Sequence, residues 1–162
     1  MSTDTQQAHL PALDEHHRHE TGNELQATLV ELVDLSLIGK QLHWNIFGRP
    51  FKPLHEHLDE LVDSWRELSD TVAERAVALG VAPDGRAGTV GAGSGIEPVD
   101  AGSLDTDTAT RELVTRLADV TERIRARMDR LGDLDLASQD VLVEVVRELE
   151  KQQWMLRVSL PA

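Results

Sequence analysis

The sequence predicts an all-α protein, an antiparallel bundle of four helices with one long crossover. Three observations carry that prediction. Leucine and valine recur at helical spacing in four separate stretches. Two of the three connections between those stretches are short, which forces antiparallel neighbours. The remaining connection holds six of the chain's eleven glycines and is long enough to run the length of a helix.

The first helix is expected from about Asn23 to Asn45, with Leu25, Leu29, Leu32, Leu35 and Leu42 on one face. Residues 1–21 show no helical pattern and read as a flexible tail. Gly48 is a plausible C-terminal stop, and Pro53 suits the first turn of the next helix. The second helix is expected from about Pro53 to Leu79, where Leu54, Leu58, Leu61, Trp65, Leu68 and Val72 alternate steps of four and three. Gly80 and Pro83 close it. The third covers about Asp107 to Leu131 through Leu113, Leu117, Val120 and Ile124. The fourth begins near Asp135 or Ser138 and carries Leu142, Val145, Leu149 and Leu156. Residues 22–160 then form one domain. The second helix is about 40 Å long at 1.5 Å per residue, and the segment VAPDGRAGTVGAGSGIEPVDAGSLD can span it end to end. Two antiparallel hairpins joined by one crossover make the ferritin-like form of the four-helix bundle.

Composition narrows the chemistry. The chain has no cysteine, so disulfides and thiolate metal sites are excluded and a reducing cytoplasmic setting fits. The N-terminal stretch has no basic region followed by an apolar run, so no secretory signal is expected. No apolar stretch approaches membrane-spanning length. A formal net charge of −13 argues against a strong nucleic-acid surface and suits the handling of small cations.

The second helix carries two acid-containing pairs. His55 and Asp59 are four residues apart, as are Asp70 and Glu74, and both the inner and the outer pair share a midpoint between Ser64 and Trp65. All four fall within an arc of about 100° on one helix face. The inner two are nevertheless separated by about 16 Å along the axis, so one chain cannot bring all four to one metal. Two antiparallel copies related by a two-fold axis at Ser64/Trp65 can, and would build two equivalent sites per dimer. Trp65 at that midpoint could then pack against its own copy. His43, one turn before the end of the first helix, lies across the turn from His55. A set of His, Asp and Glu ligands favours iron, zinc or manganese over calcium. A plain solvated acidic face is the competing reading, since Glu56, Glu60, Asp63 and Glu67 share that side of the helix.

The run HWNIFGRPFKPLHEHLDELVDSWRELSDTVAERAVALG closely resembles the signature of Dps proteins, the mini-ferritins named as DNA-binding proteins from starved cells. The pattern is His, eleven residues, His, three, Asp, ten, Asp, three, Glu, and the chain fits it without a gap. The ending LEKQQWMLR is similar to the last helix of that family. The resemblance covers about Leu25 to Val158 and implies a hollow dodecamer with ferroxidase centres at two-fold interfaces. It implies His43, His55 and Asp59 from one subunit, with Asp70 and Glu74 from the other. It further implies oxidation of Fe(II), usually by hydrogen peroxide, with Fe(III) stored as mineral in the cavity. Zinc or manganese could occupy the same ligands. Glu56 and Glu60 match acidic positions that in the family face the cavity and seed mineral. Asp140 and Glu144 could line an acidic entry pore. Trp44, beside His43, matches a family tryptophan that could scavenge oxidising equivalents, or it could serve core packing.

Family members that condense DNA often use a tail rich in Lys and Arg. Here the only formal cation before Gly22 is Arg18, against Asp4, Asp14, Glu15 and Glu20. DNA binding is therefore expected to be weak or absent at neutral pH. His9, His16, His17 and His19 could become cationic below about pH 6.5, or could bind a transition metal. The six arginines of the third helix alternate with acids and read as a salt-bridged surface.

Overall fold

The computed structural model describes residues 10–161. Helix α1 spans Glu15–Asn45 and is followed by a two-residue strand β1, Ile46–Phe47. Helix α2 spans Phe51–Ala78, and a short helix α3, Ala87–Gly93, follows it. Strand β2, Leu104–Asp105, leads into helix α4, Thr106–Leu131, and helix α5 covers Leu136–Ser159. Helix α1 packs along α2 and α4 along α5, which gives the two expected hairpins joined by a crossover. Among the described residues no helix is long and apolar enough to cross a membrane.

The core lies along the bundle axis and is aliphatic: Leu25, Leu32, Leu35, Leu58, Leu113, Leu117, Leu142 and Leu149 are fully shielded. Trp65 is also 0% exposed. Its indole N–H donates to Oε1 of Gln152 at 2.7 Å, and the Gln152 amide donates to Oγ of Ser64 at 2.9 Å. The indole reaches inward because Gly39 leaves room for it: a Cβ at Gly39 would sit 2.7 Å from the ring. Trp65 therefore cannot pack against its own copy, and that expectation is corrected. An inward indole keeps its apolar area in the core and still pairs its buried N–H.

Helix α1 starts eight residues before the expected Asn23. Asp14 caps it by accepting from the His17 backbone N–H at 2.8 Å, and Glu15 favours the positive end of the helix dipole. Its first turns are polar and mostly exposed, so they show no apolar period; the cap, not the periodicity, marks the start. His16, His17 and His19 are thus helical, while His9 lies outside the described residues. Helices α4 and α5 start at their own caps, where Asp105 accepts from the Thr108 N–H and Asp135 from the Ser138 N–H. At the end of α2, Gly80 turns the chain with φ +77°, a conformation that suits glycine.

The crossover is more ordered than a bare loop. Asp84 accepts from the backbone and guanidinium of Arg86 and from the Thr89 hydroxyl, which fixes the entry to α3. Val90 of α3 is buried. The far end is tied down by β2, which pairs parallel with β1 in the register Ile46↔Leu104 and Phe47↔Asp105. The Thr106 hydroxyl adds a hydrogen bond to the Arg49 carbonyl at 2.8 Å. This clamp sits at the α1–α2 corner that carries the candidate ligands.

Candidate metal centre

The α1–α2 turn folds His43 against His55. Their rings stack with centroids 3.7 Å apart and planes 21° apart. The Nδ1 of His43 lies 2.9 Å from the His55 carbonyl oxygen, and the Nδ1 of His55 lies 3.0 Å from the His43 carbonyl oxygen. A carbonyl oxygen only accepts, so both Nδ1 atoms carry their hydrogens and donate. In the neutral rings this leaves each Nε2 with a lone pair, the form that ligates a metal. Phe51 extends the stack, its ring 5.0 Å from that of His55.

Asp59 stands one helical turn beyond His55. Its Oδ1 lies 3.4 Å from Nδ1 of His43 and pairs with the Lys40 ammonium. That hydrogen bond from Lys40 is the main cause that holds the Asp59 carboxyl below its ordinary pKa, outweighing the opposing effect of burial. His43 is buried, whereas His55 and Asp59 are half-exposed. The structure therefore brings His43, His55 and Asp59 together at one end of the α1–α2 hairpin.

Asp70 and Glu74 are not brought to that cluster. They lie further along α2 with exposed side chains, and Asp70 rims a shallow groove lined by Leu29, Val33, Leu37 and Ala73. Among the described residues, no three His, Asp or Glu side chains of the single chain form a group able to hold a metal. Glu56 and Glu60 are exposed on α2, with Glu56 near Lys52 at 3.5 Å. Asp140 and Glu144 are exposed in a separate groove between α2 and α5, shared with Glu67, Arg147, Glu148 and Lys151. Trp44 is 69% exposed, so in the single chain it does not serve core packing.

Lys40 and Phe51 did not emerge as site residues from the sequence. Lys40 lies three residues before His43 on the same face of α1, a spacing that could have been read. Phe51 needed the turn geometry. The arginines of α4 also differ in part from a plain surface. Arg116 and Arg127 are largely buried, Arg116 donating to the Glu97 and Pro98 carbonyls and Arg127 to Glu31.

Comparison with known proteins adds the lineage. The ferritin-like domain family matches residues 22–160. The DNA protection during starvation protein of Mycolicibacterium smegmatis is 36% identical over 154 residues, covering 93% of this chain and 82% of that protein. The chain belongs to the Dps family of ferritin-like proteins. A solved structure of Mycobacterium smegmatis Dps in a tetragonal form superposes with a TM-score of 0.90 at 33% identity, over 94% of this chain and 93% of that one. The fine tangled pili major subunit of Haemophilus ducreyi is also 36% identical, over 93% of this chain and 80% of that protein. Dps membership places the chain, in general terms, among proteins of iron storage and protection.

Proposed function

We propose that the protein is an iron-detoxifying ferroxidase whose centres are shared between two copies of the chain. Fe(II) is the substrate, and hydrogen peroxide is the oxidant the reading favours. His43, His55 and Asp59 of one copy would face the partner's Asp70 and the partner's Glu74. The observation that carries this is the reciprocal lock between His43 and His55, which leaves two imidazole Nε2 lone pairs beside an ionised carboxylate. Such a group lacks enough ligands by itself, and the exposed Asp70 and Glu74 on the same helix supply the complement under two-fold symmetry.

Two ferrous ions give one electron each to peroxide: 2 Fe(II) + H2O2 + 2 H⁺ yields 2 Fe(III) and two waters. Delivering both electrons together avoids the one-electron reduction that releases hydroxyl radical. The carboxylates stabilise the rising positive charge as iron passes to Fe(III). Glu56 and Glu60 would take up the product and seed mineral in the cavity of a dodecameric shell, protecting nearby DNA from oxidation. Zinc or manganese in the same ligands is the competing occupant.

The test is Fe(II) plus peroxide added to the assembled protein. Fast Fe(III) absorbance and a soluble iron-loaded particle are expected, and H43A/H55A/D59A should still assemble but lose the fast phase. Equal rates in that triple variant would defeat the reading. Metal analysis of protein purified without added iron separates iron from zinc and manganese.

A further inference from the structure

Helix α2 starts without a side-chain cap of its own. Asp14, Asp105 and Asp135 accept backbone N–H bonds at the starts of α1, α4 and α5, whereas Pro50 at the start of α2 makes no such bond. The first N–H groups of a helix have no partner inside it, so an uncapped end frays unless the rest of the fold holds it. His55 stands one turn in from that end, and its Nδ1–H reaches across the corner to the His43 carbonyl. The bond lasts only while residues 46–50 keep the two helices in register. Gly48, at φ +98°, gives the corner its turn but no stiffness.

The restraint comes from outside the hairpin, at the start of α4. Strand β2 pairs with β1 and sets Leu104 beside Ile46 and Asp105 beside Phe47. The next residue, Thr106, is 4% exposed and donates its hydroxyl to the Arg49 carbonyl at 2.8 Å. Residue 53, four positions after Arg49, is a proline with no N–H to offer that carbonyl. The hydroxyl therefore satisfies a group that the start of α2 cannot serve in the usual way, and it joins the corner to a helix 57 residues further on.

From this we propose that Thr106 is a positioning residue for the two-histidine half of the centre, acting through the Arg49 carbonyl and the 46–50 corner. The inference rests on the shared-centre reading above and adds to it a residue of another hairpin that touches neither metal nor peroxide. Loss of the hydroxyl leaves the Arg49 carbonyl without this donor and lets the first turn of α2 lift from α1. The His55 Nδ1–H then parts from the His43 carbonyl, the ring turns, and the two Nε2 lone pairs no longer converge. Groups that fix a ligand ring from outside the coordination sphere change metal affinity about 10–100-fold. Thr106 acts through the backbone, one step further out, so the lower end of that range applies.

The test titrates the assembled protein with Co(II) and follows its visible absorption; the signal that H43A/H55A/D59A loses belongs to the centre. T106V removes the hydroxyl at nearly constant shape, and T106A removes it without an added methyl group. Both are expected to bind Co(II) about tenfold more weakly, with a changed spectrum, and T106S should restore both readings because it keeps the donor. T121V controls for general loosening of α4. Thr121 is 5% exposed, and its hydroxyl donates to the Leu117 carbonyl of the same helix, so T121V should match the wild type. Wild-type affinity and spectrum in T106V and T106A, or an equal change in T121V, would overturn the positioning role. Unchanged Co(II) binding by H43A/H55A/D59A would instead sink the shared centre, which keeps the two failures separate.

Discussion

His43 and His55 each donate a ring Nδ1–H to the other's backbone carbonyl, so neither imidazole is oriented by its own helix alone. Removing either ring frees the other. The effects of H43A and H55A on fast Fe(II) oxidation are therefore expected to be far from additive, as for groups that act as a unit. Each single variant should lose at least about tenfold, and the double variant little more than the worse single one. Initial rates of Fe(III) formation with peroxide provide the measurement, and full additivity would deny the coupling.

Lys40 acts on Asp59 as a built-in cation. A unit charge about 5 Å from a divalent ion repels it by ~1.7 kcal/mol even at the dielectric constant of water. K40A is accordingly expected to bind Zn(II) about tenfold more tightly in calorimetric titration. In the same variant the Asp59 carboxyl loses the main cause of its lowered pKa, so Zn(II) binding should weaken at a higher pH than in the wild type as the solution is acidified. Weaker binding by K40A at neutral pH would mean that Lys40 orients Asp59 and does not compete with metal.

Asp135 joins the two hairpins at the other end of the bundle. It caps α5 through the Ser138 N–H and hydroxyl, and it accepts from the Arg75 guanidinium of α2 at 2.6 Å. Burial pushes its carboxyl up, but the hydrogen bonds from Ser138 and Arg75 outweigh this and hold it below the ordinary value of 3.8. A depressed folded pKa gives stability that is complete above the unfolded value and is lost as pH falls through the folded one. The Asp135 contribution should therefore persist at neutral pH and disappear below about pH 4. D135N keeps a capping side chain but not the charge, so its stability should depend less on pH across that acid window. Denaturant midpoints measured from pH 7 to pH 2 would reveal it, and parallel curves for D135N and wild type would refute it.

Glu31 is 1% exposed on α1 and receives Arg123 at 2.5 Å and Arg127 at 2.6 Å from α4. A neutral replacement leaves two cations facing an unpaired site. E31A should cost about 3–5 kcal/mol, the usual loss when one member of a buried ion pair is removed. Urea unfolding of the assembled protein measures this, and a loss under about 1 kcal/mol would mark the pair as solvent-compensated.

DNA affinity should be low at neutral pH and ordinary salt, because the net charge is −13 and the described part of the N-terminal region offers one arginine against Asp14, Glu15 and Glu20. His16, His17 and His19 lie on the first turns of α1, with His17 beside Asp14 at 2.9 Å. Gel retardation should stay absent at pH 7.5 and grow only below about pH 6.5. Strong retardation at neutral pH would favour a nucleoid-compacting protein with incidental metal binding.

The sequence by itself determined the four long helices, their pairing into hairpins and the spacing of His43, His55, Asp59, Asp70 and Glu74. Periodicity and spacing are local, and a helix turns them directly into faces and distances. The start of α1 at Glu15 was written in the sequence only as the Asp14 cap, a local signal that leaves no apolar period, whereas the directions of the packed side chains were decided by the tertiary structure. It alone turned Trp65 inward toward Gln152, since the space that admits the indole comes from Gly39 on another helix. It also set Lys40 on Asp59 and Phe51 on His55, contacts that exist only once the α1–α2 turn has closed. A side chain's direction depends on what the neighbouring helix leaves empty, and no single stretch of chain carries that information.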